Sequence, residues 1–343
     1  MSTMTKETDV VIIGGGPAGS VCGYLLRQGG KECVIVDFAT FPREKICGGG
    51  LTPKAYELLQ ELMPDLRYDY QGVRHFRLMM DGKTLCEVDV AKELRMVPRK
   101  DFDNALIGQY TALGGELVKD VFSHFEKLED GRLRVALKSG DTIICKHLVG
   151  ADGANSRVRK QLTGQRREAI LCMERYVAKG DNEFVFEFST RYRNGYWYSF
   201  PNINYDIVGM GGDYPSPAAL RDELCHNTNR AIEPSRSSPL YGATIPLDTT
   251  KSDIDNVILI GDAGGFANKL TYEGLYYAIA TGRNASMAIL GGKSFATTNH
   301  TIFLKKKKEV LIAGFVYSRI GLWLMKTGSR RPRLIKKAFE MFY

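Results

Sequence analysis

The sequence predicts an α/β protein in which a parallel-stranded domain is interrupted by a β-rich unit and followed by a helical C-terminus. Three observations carry that expectation. Asp9–Ile13 is a short apolar run that ends in Gly14-Gly15-Gly16-Pro17-Ala18-Gly19 and passes into a helical pattern as far as Arg27. Cys33–Asp37 then reads as a second buried strand, which completes a βαβ unit. Far downstream, Leu148-Val149-Gly150 and Val257-Ile258-Leu259-Ile260 return to buried-strand character. One sheet is therefore expected to be assembled from separated stretches of the chain.

The remaining elements follow in order. From Val73 to Val90 short alternating runs flank Asp81-Gly82, a hairpin signal. Asp101–Leu113 reads as a helix, and a meander through Gly131 and Gly140 leads to Leu148. Between about 168 and 215 the chain is β-rich, with Phe184–Phe188 and Tyr205–Met210 as clear strands. A helix runs from Gly274 to about Leu290. The expected division is a discontinuous nucleotide-binding domain over 1–70, 95–165 and 250–300, a β-rich substrate domain over 71–94 and 166–249, and a basic helical segment over 301–343.

Composition narrows the class. A chain of 343 residues with 44% hydrophobic and 25% charged residues is ordinary for a soluble globular protein. The first nine residues have neither a basic nor an apolar signal region, so a cytoplasmic protein is expected. Seven scattered cysteines without C-x-x-C spacing point to reduced thiols, and five dispersed histidines give no metal-ligand pattern. The net charge of +8 is a property of the tail: residues 301–343 hold eleven Lys/Arg and two Glu, leaving the body close to neutral. Nucleic-acid binding is not expected.

Gly14-x-Gly16-x-x-Gly19 has a clear physical logic. The first glycine allows a tight turn, the second lets the backbone approach a pyrophosphate, and the third lets helix pack on strand. The pyrophosphate then lies at a helix N-terminus, beside Ala18, and Asp37 at the end of the second strand is placed to accept from a ribose hydroxyl. This is a Rossmann-type dinucleotide site. Gly209-Met210-Gly211-Gly212 lacks the third glycine and the following helix, so no second dinucleotide fold is expected. An electron donor must dock transiently, as NAD(P)H or as a reduced carrier protein.

Two later segments resemble those of the flavoprotein hydroxylase superfamily, whose cofactor is FAD. They are Leu148–Arg159, containing Asp152-Gly153, and Val257–Ala263, containing Gly261-Asp262. All three motifs stand in the superfamily's order. Each aspartate alone would read as a helix cap or turn residue.

Within that superfamily the chain resembles the geranylgeranyl reductase family over most of residues 8–290. Lys45-Ile46-Cys47-Gly48-Gly49-Gly50 is similar to its loop beside the flavin, and Arg99-x-x-Phe102-Asp103-x-x-Leu106 to a helix start whose arginine lies near the cofactor. Gly195–Pro201 resembles its Tyr-x-Trp-x-Phe-Pro strand, and Asn268–Ala278 its segment around Glu273-Gly274-Leu275. The chain departs from the family at Tyr198 (Trp is usual), Lys269 (Pro) and Tyr272 (Gly). The resemblance implies that Gly14, Gly16, Ala18, Gly19 and Asp37 hold the ADP half of FAD. It places Arg99 and Asp262 at the pyrophosphate and ribityl region and Cys47–Gly49 with Gly274-Leu275 at the isoalloxazine, and it counts Asp152 and Gly261 among the cofactor-binding residues. Cys47, Tyr196 and Tyr198 become candidate catalytic residues; Cys47 reads either as a proton-donating thiol or as a small packing residue of a glycine loop. The implied activity is reduction of C=C bonds in an isoprenoid or similar lipophilic substrate. The alternative is an FAD monooxygenase or tailoring enzyme acting on a small aromatic molecule.

The tail admits two readings. Val310–Tyr317 and Ile320–Met325 are apolar but interrupted by Arg319, short of the roughly 18 uncharged residues of a spanning helix. Leu334, Ile335, Ala338, Phe339 and Phe342 share a helical face opposite Lys336 and Lys337. Such a segment either lies on an anionic membrane surface, at the inner face, or caps the pocket with a solvated basic side.

Overall fold

A computed structural model describes residues 4–164, 169–231, 239–252, 254 and 256–328. In chain order the elements are β1 (Thr5–Ile13), α1 (Pro17–Gln28), β2 (Cys33–Asp37), β3 (Gly50–Leu51), α2 (Pro53–Leu62), β4 (Gln71–Met80), β5 (Lys83–Met96) and α3 (Arg99–Ala112). Then come β6 (Glu116–Lys119), β7 (Phe122–Lys127), β8 (Leu133–Leu137), β9 (Thr142–Gly150), α4 (Arg157–Thr163), β10 (Ala169–Ala178), β11 (Phe184–Phe188), β12 (Arg193–Pro201) and β13 (Tyr205–Asp213). The chain continues through α5 (Pro217–Ala231), β14 (Tyr241–Pro246), β15 (Val257–Leu259), α6 (Gly261–Gly264), α7 (Leu275–Gly291), α8 (Phe295–Thr298), α9 (His300–Val316) and α10 (Arg319–Gly328). The expected amphipathic face from Leu334 to Phe342 lies outside the described residues.

The first sheet has seven strands in the order β6-β2-β1-β9-β8-β7, with β15 paired to β9. Its centre is parallel, and Ile13, Val36, Gly150 and Leu259 are brought level by the register. The carboxyl ends of four strands from three parts of the chain thus meet at one edge. That edge is where an open α/β sheet binds its ligand. Strand β9 is shared along its length: Thr142–Cys145 pair antiparallel with β8, and Leu148–Gly150 pair parallel with β15. The sequence reading caught only the second half. The first half alternates in burial, because it belongs to the meander and shows one side to solvent.

The helices α1, α3 and α7 bury Val21, Leu26, Leu106, Tyr110 and Ile279 in one cluster with Val10 and Ile12 of the sheet. Helix α3 starts at Arg99, two residues earlier than its apolar pattern suggests, with Pro98 at the N-cap. The second sheet has eight strands, β14-β10-β13-β12-β11-β4-β5-β3, and is antiparallel except where β11 meets β4. Its alternation sorts side chains cleanly. Tyr196, Tyr198 and Phe200 join an aromatic cluster with Phe76 and Phe184, whereas Trp197 packs with Val208, Leu220 and Leu224 on the opposite face. Gly209–Gly212 falls inside β13, a strand buried along most of its length.

Helix α9 is tied to the loop after α6 and to α7 by buried polar groups. Lys306, 3% exposed, donates to the Ala267 carbonyl, and Glu309 accepts from the Tyr277 hydroxyl. The Tyr317 hydroxyl donates to the Leu270 carbonyl at 2.8 Å. No single helix among the described residues is long and apolar enough to cross a membrane. The pair His300–Val316 and Arg319–Thr327 passes that test only together, and is bent by 72° at the break.

Candidate active site

A cavity of about 2150 Å³ begins over the glycine loop after β1, passes between the two sheets and ends against α9 and α10. Every residue expected at the site lines it, from Gly14 to Tyr196 and Tyr198, apart from Gly19. That glycine lies beneath the loop: a Cβ on it would stand 1.9 Å from the Gly14 carbonyl oxygen. Gly14 itself has φ +105°, and a Cβ there would meet the Ala151 carbonyl oxygen at 2.4 Å. Helix α1 follows with Pro17 in its first turn and no side chain capping its N-terminus, so its first N–H groups are available to an anion. The Asp37 carboxylate accepts from Gly15 N at 2.7 Å and Ala39 N at 2.8 Å, which holds the loop while leaving lone pairs for a further donor.

The two aspartate segments are joined by a residue that the motif contained but to which no role was assigned. Arg159 is buried and donates to the Ala154 carbonyl at 2.6 Å and the Ala263 carbonyl at 3.1 Å. Asp152 does act as a cap, accepting from Arg157 N at 2.7 Å through Oδ2. Its Oδ1 is buried without a protein partner, and burial raises the carboxyl above its ordinary range against the Ser156 hydroxyl and the α4 amides. Asp262 stands half-buried on the cavity wall, facing Gly274 at the start of α7. Helix α7 also has no side-chain cap.

Arg99 forms two hydrogen bonds of 2.8 Å with Asp103, whose side chain is fully buried. Burial works against its charge, but the Asp103 carboxylate and the nearby Cys47 thiol hold the guanidinium well above its usual range. Arg43 reaches the same Asp103 at 3.3 Å and lies against Gly16 on the cavity wall. Residue-by-residue reading gave Arg43 no cofactor role, since its place depends on the fold of the loop before Cys47.

Cys47 is half-buried, and its sulfur accepts from Gly49 N at 3.4 Å. Its own N–H donates to Glu174 Oε1 at 2.9 Å, and Glu174 Oε2 accepts from the Tyr198 hydroxyl at 2.9 Å. Glu174 was not anticipated. The available signal was its position on β10, on the face shared by Ile170 and Cys172. Beyond it the wall is aromatic: Phe184 and Tyr198 stack on Phe200 at 4.1 and 4.3 Å, and Tyr196 stacks on Tyr272 at 5.4 Å.

These features fit FAD. The glycine cradle excludes side chains where a pyrophosphate would lie, two uncapped helix N-termini face the cavity, and an unpartnered buried carboxylate oxygen awaits a donor. The cavity lining continues from these residues to Phe315 and Leu324.

Fold and site together define an FAD-dependent oxidoreductase. Residues 7–177 match the FAD binding domain family. The chain is 29% identical to a menaquinone reductase of Mycolicibacterium smegmatis, over 84% of this chain and 78% of that one. It is 27% identical to a geranylgeranyl diphosphate reductase of Rhodobacter capsulatus, over 82% and 75%. The structure of a geranylgeranyl bacteriochlorophyll reductase-like protein from Thermoplasma acidophilum shares the fold, with a TM-score of 0.75 at 18% identity, covering 97% of this chain and 91% of that one.

Proposed function

We propose that this oxidoreductase reduces C=C bonds of an isoprenoid or similarly long apolar substrate. The carrying observation is the cavity's largely aromatic and apolar wall, from Phe200 beside Gly48 to Phe315 and Leu324 at its far end. Bound FAD, once reduced, supplies hydride from its N5. The chain's residues do the rest. Gly14, Gly16, Ala18 and Asp37 hold the adenosine end, Arg99, Asp152 and Asp262 the middle, and Cys47–Gly49 with Gly274-Leu275 the ring system. The aromatic wall orients the substrate and excludes water, which protects the transfer. On this reading the first sheet serves the cofactor and the second the substrate, and NAD(P)H or a reduced carrier protein recharges the flavin from outside. Mixing the dithionite-reduced holoenzyme with geranylgeranyl diphosphate or menaquinone under argon is expected to re-oxidise the flavin and yield a product heavier by one H₂ per bond, a gain that for menaquinone persists after its ring is re-oxidised to the quinone in air. An oxygenated product formed only in air overturns the reading in favour of a monooxygenase.

The far end of the cavity opens beside exposed apolar side chains. Leu311 is 76%, Phe315 56%, Ile320 65% and Trp323 61% exposed, and Lys307 and Lys308 are exposed on the same helix pair. We propose that this surface rests on an anionic bilayer at the inner face of the membrane, from which the substrate enters. The pair of substitutions Leu311→Glu and Trp323→Glu is expected to lower binding to phosphatidylglycerol vesicles by roughly tenfold or more, as the loss of two buried apolar side chains requires. Unchanged partition in a sedimentation assay rules out this face.

A further inference from the structure

Reduction of a C=C bond takes one hydride and one proton. The cofactor supplies the first, so the chain must supply the second inside an aromatic cavity. We infer that the proton is stored on the buried Glu174 carboxyl and delivered through the Tyr198 hydroxyl. This rests on the reductase reading above and names its proton donor.

The argument is one of connectivity. Among the described tyrosines of the inner cavity wall, Tyr196 donates to the Thr271 carbonyl and Tyr272 to the Asn194 carbonyl. The Tyr317 hydroxyl also neighbours that of Tyr272, but neither Tyr196 nor Tyr272 is hydrogen-bonded to a carboxyl that could return a lost proton. Tyr198 differs, because its hydroxyl is 2.9 Å from a carboxyl. Glu174 is 3% exposed and its other oxygen is fixed by Cys47 N, so the pair is held in place from two sides. Burial raises the Glu174 carboxyl above its usual range, against the Tyr198 hydroxyl, the Cys47 amide, Lys45 and Arg99; Cys172, Tyr176 and Tyr205 are titratable neighbours of it as well. Burial also pushes the Tyr198 phenol well up.

The step balances. The substrate carbon adjacent to the one receiving hydride forms a C–H bond with the Tyr198 proton, and the O–H bond breaks. The phenolate takes the Glu174 proton, and the carboxylate is reprotonated from solvent between turnovers. Tyr198 is the catalytic residue and Glu174 the positioning and storage residue behind it.

Two measurements on the FAD-loaded protein test this. In the infrared difference spectrum near neutral pH, wild type minus Glu174→Gln is expected to show a protonated-carboxyl C=O band that Tyr198→Phe retains, any band from the buried Asp152 carboxyl being common to all three and cancelling. In single turnover with geranylgeranyl diphosphate or menaquinone, the wild-type rate is expected to fall as pH rises through the raised Glu174 range, since only the protonated carboxyl can donate. Glu174→Gln and Tyr198→Phe are each expected to slow that step by about a hundredfold, to lose the pH dependence, and to be non-additive in combination. Absence of the carboxyl band from the difference spectrum overturns the proposal, as does a variant matching the wild type in rate and pH profile at equal FAD content. If no lipid probe is reduced by the wild type but the band behaves as described, the reductase reading fails and the proton store stands.

Discussion

Gly19→Ala is expected to produce a protein that no longer retains FAD through gel filtration. The added methyl would stand 1.9 Å from the Gly14 carbonyl oxygen, a backbone atom that cannot rotate aside. Either α1 moves off the sheet or the loop above it opens, and both changes displace the first N–H groups of the helix. Overpacking of this kind costs about 3 kcal/mol, which corresponds to more than a hundredfold in cofactor affinity. Equilibrium titration of the flavin-free variant by fluorescence quenching measures it. Affinity within a factor of about three of the wild type would remove the pyrophosphate from this loop.

Asp103→Ala is expected to be the most destabilising single change at the site. The carboxylate is fully buried, pairs with Arg99 through both oxygens, and meets Arg43 at 3.3 Å. Truncation leaves a buried guanidinium without its counter-ion, which costs about 3–5 kcal/mol. Urea denaturation should show the midpoint falling at unchanged slope, with Asp103→Asn losing less because it keeps the shape and one acceptor. A loss below about 1 kcal/mol would mean that the two arginines find solvent or another partner. Since both arginines line the cavity, the same variants should also hold flavin more weakly.

How much of this was legible depends on the distance over which each residue acts. The Gly14–Gly19 loop was readable because its physics is local: a turn, a helix start and a close packing within six residues. The β-rich unit was readable from alternation, and the opposite facing of Trp197 and Tyr198 follows from the pleat alone. Asp152 shows the limit of such reasoning. It was expected both as a cap and as a cofactor residue, and its two oxygens divide between a helix N–H and the cavity. Glu174 was not legible, because its neighbours Cys47 and Tyr198 come from a loop far upstream and a strand downstream. Only a carboxylate on an otherwise apolar strand face hinted at it. The joining of Leu148–Gly150 to Val257–Leu259 was expected as one sheet, but the sharing of β9 between two partners was not, since register leaves no local mark.

That shared strand bears on how the protein is made. A ribosome delivers Leu148–Gly150 long before Val257–Leu259, and the chain between them contains five of the eight strands of the aromatic sheet. The far edge of a buried, apolar strand end therefore stays unpaired while its neighbour sheet is still emerging. The nucleotide half of the molecule cannot close until the substrate half has been built, so cofactor capture comes late in biosynthesis and reports on the integrity of both.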